Sequence, residues 1–199
     1  MIVYPVCARV PSGLRGRRGV DEARRLGHEA LELSARLARR PPVEGASFPR
    51  DDERAPLPVR TGRCTWHFST TNTRGLAAAV VAPFRIGIDA EWLDRPRIEA
   101  PLAYFDARER ARLGLDERRG VIALWSAKEA VLKQVGVGIA GMGRVRLESA
   151  APGHRLRLAF DGERFDVRLF FRGDHVLSIA TTEPDCEMRP RSLEAEWVR

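Results

Sequence analysis

Trp125-Ser126-Ala127-Lys128-Glu129-Ala130-Val131-Leu132-Lys133 holds the only two lysines of a chain with 34 basic residues; all the others are arginine. A sequence shifted this far toward arginine is expected to keep lysine where a compact ammonium does what a planar guanidinium cannot. The stretch also reads as helix. Ile122, Trp125, Glu129 and Leu132 recur at spacings of three, four and seven, so they share one face of a helix expected over 117–135. A carboxylate on a mainly apolar face needs a partner. Lys133, one turn later, is one candidate through an i,i+4 ion pair. A metal ion shared with carboxylates from elsewhere is the other.

Those carboxylates stand in Gly87-Ile88-Asp89-Ala90-Glu91, inside a strand expected over 85–92. Side chains two apart point to the same face of a strand, so Asp89 and Glu91 project together while Ile86, Ile88, Ala90 and Trp92 project the other way. Two adjacent carboxylates repel each other unless a cation or a proton lies between them. A solvated polar strand face is the ordinary alternative. Asp89, Glu91 and Glu129 together, with no His or Cys among them, make a hard oxygen site that favours Mg²⁺ completed by waters and substrate phosphates. Mn²⁺ satisfies the same donors. Glu109, in Phe105-Asp106-Ala107-Arg108-Glu109, falls near a helix start where the helix dipole favours acidic residues; its functional reading is a general base close to the metal.

Around these stretches the chain alternates strands and helices. A strand is expected over 2–9, a turn-rich basic loop over 11–19, and a helix over 20–39 ended by Pro41-Pro42. A Pro-, Gly- and charge-rich connector follows over 41–62. Two strands, 64–69 and 75–82, flank a polar turn at Thr70-Thr71-Asn72-Thr73, and a second helix is expected over 104–115. A glycine-rich loop over 136–143 leads into an antiparallel meander, 144–148, 155–160, 164–171 and 175–182, with turns at Asp161-Gly162 and Gly173-Asp174. The residues after Pro184 show no pattern. The class is α+β, with two loosely similar halves, 1–92 and 93–199.

Composition narrows the function. The most apolar run, Leu76 to Phe84, is nine residues and too short for a membrane span. The N-terminal residues lack a basic segment followed by a long apolar one, so no signal peptide is expected. The three cysteines, Cys7, Cys64 and Cys186, are odd in number and widely spaced, which suits a reducing cytoplasm rather than a disulfide framework or a zinc site. A net charge of +7 favours polyanions or acidic proteins. Without zinc-finger spacing, an aromatic RNA-binding strand or a helix-turn-helix, specific nucleic-acid binding is not expected.

Gly87-Ile88-Asp89-x-Glu91, then Phe105-x-x-x-Glu109, then Trp125-Ser126-x-Lys128-Glu129-x-x-x-Lys133 resembles, in order and spacing, the Sfp-type branch of the 4′-phosphopantetheinyl transferases. The resemblance covers about residues 64–143 and extends over the meander. It implies a monomer of two similar α+β halves related by a pseudo-twofold axis, with CoA between them. It implies transfer of the phosphopantetheine arm of CoA to a serine of an acidic acyl or peptidyl carrier protein, releasing 3′,5′-ADP. By position, Asp89, Glu91 and Glu129 would hold Mg²⁺ against the CoA pyrophosphate. Glu109 would help take the serine proton, directly or through a water on the metal. Lys133 would neutralise phosphate charge, and Lys128 would add a further phosphate contact.

The N-terminal half departs from the family pattern. Where the family carries an N-I-S-H-S-like loop whose His contacts CoA, this chain has His67-Phe68-Ser69-Thr70-Thr71, with Thr70 in the His position. His67 lies three residues earlier, on the other face of a strand, and reads as an ordinary strand histidine. The family's G-K/R-P turn is degraded to Glu53-Arg54-Ala55-Pro56, and its basic segment to 11–19. Ser69, Thr70 and Arg17, with Arg15 and Arg18 beside it, are what the resemblance leaves for the nucleotide end of CoA. A non-catalytic homologue that binds CoA or docks on a carrier protein is the alternative.

Overall fold

The computed structural model describes residues 1–14, 16–38, 48–51, 55–105, 107–112 and 116–194, with all their side chains except those of 99, 100 and 110. In chain order the elements begin with β1 (Ile2–Val3), β2 (Val6–Arg9), α1 (Gly16–Leu37), β3 (Val59–Thr61), β4 (Cys64–Thr73), β5 (Leu76–Ala82) and β6 (Ile86–Trp92). Then come α2 (Glu99–Leu102), α3 (Ala107–Ala111), α4 (Glu117–Val135) and a 3-10 turn at Ile139–Arg144. The chain ends with β7 (Arg146–Ala151), β8 (Arg155–Phe160), β9 (Glu163–Arg172), β10 (His175–Thr181), β11 (Glu187–Met188) and β12 (Arg191–Ser192). Two compact units result, one of Met1–Ile86 with Glu183–Arg199, the other of Gly87–Thr182. The break between them falls within β6, after Ile86.

In the first unit α1 buries Ala23, Leu26, Ala30, Leu31, Ser34 and Ala35, the three-and-four spacing of an amphipathic helix. It packs on a five-stranded sheet ordered β12-β2-β5-β4-β3. Ser34 pins it there: its buried hydroxyl donates to the Tyr4 carbonyl at 2.6 Å and accepts from the Val81 amide at 3.0 Å. Four expectations change here. The first strand is split around Tyr4-Pro5, since proline has no N–H for a ladder. The helix starts at Gly16, four residues early, and its expected end at Pro41-Pro42 lies outside the described residues. Thr70-Thr71-Asn72-Thr73 is strand, not turn. The β-branched threonines suit a pleated surface, and the chain reverses instead at Arg74-Gly75, where Gly75 has φ 81°. The C-terminal residues, unpatterned in sequence, pair in parallel as β11 on β1 and β12 on β2. Two-residue strands are too short to carry a period.

The second unit is ordered β6-β10-β9-β8-β7. Each unit's sheet thus sets its first strand, β2 or β6, beside the last strand of the following meander, β5 or β10. α4 spans the expected residues because both ends are capped. Asp116 accepts the Arg119 amide at 2.9 Å, and Gly136, at φ 77°, donates its amide to the Leu132 carbonyl at 2.9 Å. Val121, Ile122, Leu124 and Val131 pack it on Leu156, Leu158, Phe165, Val167 and Val176 from the sheet. The meander and both its turns form as expected. The helix expected over 104–115 is shorter, α3 alone; residues 106 and 113–115 lie outside the described ones. The glycine-rich loop closes into the 3-10 turn. Among the described residues no helix is long and apolar enough to cross a membrane.

Candidate active site

Gly87 decides how closely β6 meets α4. A Cβ at this position would overlap the Ala130 carbonyl oxygen and stand 2.8 Å from the Gln134 backbone nitrogen. With only hydrogen there, strand backbone lies directly against helix backbone. That approach brings Asp89 and Glu91 of β6 to Glu129 of α4: one carboxylate oxygen from each lies within 4.8 Å of the others. The three residues, separated by up to 40 positions in sequence, form one acidic cluster.

The electrostatics of the cluster follow from burial and crowding. Asp89 is buried, and Glu91 and Glu129 are half-buried. Burial, then the Asp89 charge, pushes the Glu129 carboxyl up to about 7, and the Lys133 ammonium only partly opposes this. Glu91 is also raised, by burial and then by Asp89, against the pull of Arg95, Lys133 and a hydrogen bond from the Trp125 side chain. Lys133 Nζ donates to Asp89 Oδ1 at 2.6 Å, and Arg95 Nη1 donates to Glu91 Oε1 at 3.0 Å. Lys133 therefore pairs with Asp89 across the helix–strand seam. Its side chain is 35% exposed, so its ammonium stands at the solvent edge of the cluster.

Glu109 and Lys128 stand elsewhere. Lys128 is fully buried, with Nζ 3.1 Å from Glu109 Oε1 and 3.3 Å from Oε2 and lying 4.6 Å from the centre of the Phe105 ring. Glu109 also accepts the Leu147 amide of β7 at 3.1 Å. The expected neighbours of metal and phosphate thus hold each other. Phe105 in turn packs edge-on against Trp125, with ring centres 6.5 Å apart. The sequence signal missed this support: F-x-x-x-E and W-S-x-K-E are two halves of one contact, visible only if the spacing is read as helix against helix.

The residues expected at the nucleotide end lie in the first unit. Ser69 is buried at 2% exposure, facing the opposite way along β4 from Thr70, whose hydroxyl accepts from Arg50 Nη2 at 2.6 Å. Arg17 is open to solvent and 3.9 Å from Asp21. Arg15 and half of the degraded turn, residues 53 and 54, lie outside the described residues. His67 is partly buried; burial and then the Arg85 charge lower its pKa. Another pair, absent from the sequence reading, closes the end of β6. The Trp92 indole donates to Asp174 Oδ2 at 2.8 Å, and His175 Nδ1 is 2.8 Å from Oδ1.

Residues 85–180 match the family model of the 4′-phosphopantetheinyl transferase superfamily. This stretch is similar to that superfamily, whose members transfer the phosphopantetheine group of CoA, and it contains the acidic cluster, both lysines and Glu109. No curated protein matches the chain.

Proposed function

We propose that this protein is an Sfp-type transferase that moves the 4′-phosphopantetheine arm of CoA onto a serine of an apo acyl or peptidyl carrier protein. The observation that carries the reading is the convergence of Asp89, Glu91 and Glu129 within 4.8 Å, with the Lys133 ammonium at their edge, inside the matched domain. The donor set fits Mg²⁺ or Mn²⁺. It is all oxygen, and its carboxylates are crowded enough that Glu91 and Glu129 hold protons more tightly than free glutamate does. A divalent ion bound there supplies charge neutralisation to the pyrophosphate.

The reaction places the carrier serine oxygen in line with the phosphorus nearest the pantetheine arm. A phosphodiester bond forms, the bond to 3′,5′-ADP breaks, and the hydroxyl proton ends in solvent. Positioning and charge stabilisation dominate such transfers. Lys133 supplies a second positive charge as the leaving group departs. The net charge of +7 suits both CoA and an acidic carrier.

Intact-mass spectrometry of an apo carrier protein incubated with this protein, CoA and Mg²⁺ tests the proposal, with Glu129→Gln and EDTA samples alongside. One added phosphopantetheine, absent from both controls, is the expected result. CoA binding without transfer to fatty acid, polyketide or peptide carriers would replace the proposal with the non-catalytic alternative.

A further inference from the structure

Glu109 and Lys128 are a buried ion pair that the proposed chemistry does not use. Such a pair costs both ions their hydration, and only well-placed partners offset that cost. The pair has partners on three sides. The ammonium meets both Glu109 oxygens and the Phe105 ring face, and the carboxylate also takes the Leu147 amide. Arg112 fastens the same stretch of β7, donating to the Leu147 and Glu148 carbonyls at 3.1 and 3.2 Å. A general base must reach the proton it removes. The Glu109 carboxylate is instead committed to Lys128 and a backbone amide, on a residue only 9% exposed.

Glu129 lies between two constraints on α4. Lys128, the residue before it, is held by Glu109 and Phe105. Ala130, the residue after it, has its carbonyl against the backbone of Gly87, so the strand can come no closer. We propose that Glu109 and Lys128 are positioning residues: their ion pair, acting against the Gly87 contact on the other side, fixes the height and rotation of α4 so that Glu129 meets Asp89 and Glu91. The inference rests on the reading that these three carboxylates hold a divalent ion. It assigns Glu109 no part in taking the serine proton.

The test compares Glu109→Met, Lys128→Met and the double variant. Mn²⁺ affinity is measured by electron paramagnetic resonance without CoA, and kcat and KM with a carrier protein. Each single variant leaves one buried charge uncompensated and is expected to lose about 30-fold in Mn²⁺ affinity, the scale of supporting-shell changes at metal sites. The double variant replaces the pair by apolar side chains and is expected to return to within about 5-fold of wild type in Mn²⁺ affinity and kcat, as buried pairs exchanged for packed apolar residues often do. Single variants with wild-type Mn²⁺ affinity would overturn the inference. So would a double variant that binds Mn²⁺ normally but turns over as slowly as Glu109→Met, since the carboxylate would then serve the chemistry.

If the double variant does not fold, Glu109→Gln replaces it. A kcat–pH profile parallel to wild type supports positioning, and loss of its acid limb overturns it. Wild type that binds no Mn²⁺ removes the metal reading and this inference together. Wild type that binds Mn²⁺ but modifies no carrier removes only the transferase reading.

Discussion

The two lysines of α4 stand five residues apart in opposite surroundings. Lys128 has no exposed surface and is enclosed by Glu109 and a phenyl ring; Lys133 is 35% exposed and reaches one carboxylate of a crowded acidic cluster. The helix turns about 140° between them, so one ammonium enters the core behind the cluster while the other stands at its solvent edge. One residue type thus does two kinds of work. The buried ammonium is enclosed by Glu109 and Phe105, and the half-open one, paired with Asp89, is the one the proposed transfer would use.

The largest expected effect is on the chemical side of this contrast. Asp89→Asn and Glu129→Gln should each lower transfer at least about 1,000-fold, from lost metal and lost charge stabilisation. Thermal melts should show little loss of stability, because each change relieves crowding among carboxylates, offsetting the weakened Lys133 contact in Asp89→Asn. Full turnover in Asp89→Asn would dissolve the distinction between the two lysines. On the structural side, Lys128→Met should cost about 3–5 kcal/mol in urea unfolding, since it strands a buried carboxylate. Lys133→Met at saturating Mg²⁺ should cost about 1 kcal/mol or less, as half-open ion pairs do, while losing most of its activity. Equal costs would contradict the contrast.

Gly87→Ala sharpens the comparison from the opposite side of the helix. The added methyl must push α4 off β6, at an expected cost of about 1–3 kcal/mol, and Mn²⁺ affinity should fall by about tenfold or more. The same cluster also carries a pH dependence. Glu129, lifted to about 7 in the folded protein from an ordinary 4.5, keeps its proton there over a range in which the unfolded chain loses it. Metal-free stability should therefore be highest below about 4.5, fall as pH rises toward 7, and then level. Glu129→Gln should flatten that slope in urea melts run in EDTA.

Sequence reading recovered what was periodic or capped. α4 was legible to its ends because Asp116 and Gly136 stop it, and the meander because Asp161-Gly162 and Gly173-Asp174 turn it. The carboxylates of β6 were legible as a same-face pair. What stayed hidden was tertiary. Nothing local marks Lys128 as buried, because a lysine on a charged helix reads as surface until Phe105 and Glu109 are folded against it. Nor does anything local mark the parallel pairing of Arg191 and Ser192 with Val6 and Cys7, which only the closed chain brings together.

A crystal grown with Mn²⁺ and measured for anomalous scattering tests the central claim most directly. The expected result is one peak about 2.1 Å from a carboxylate oxygen of each of Asp89, Glu91 and Glu129, with Lys128 still on Glu109. No peak among these three, with Lys133 still on Asp89, would contradict it.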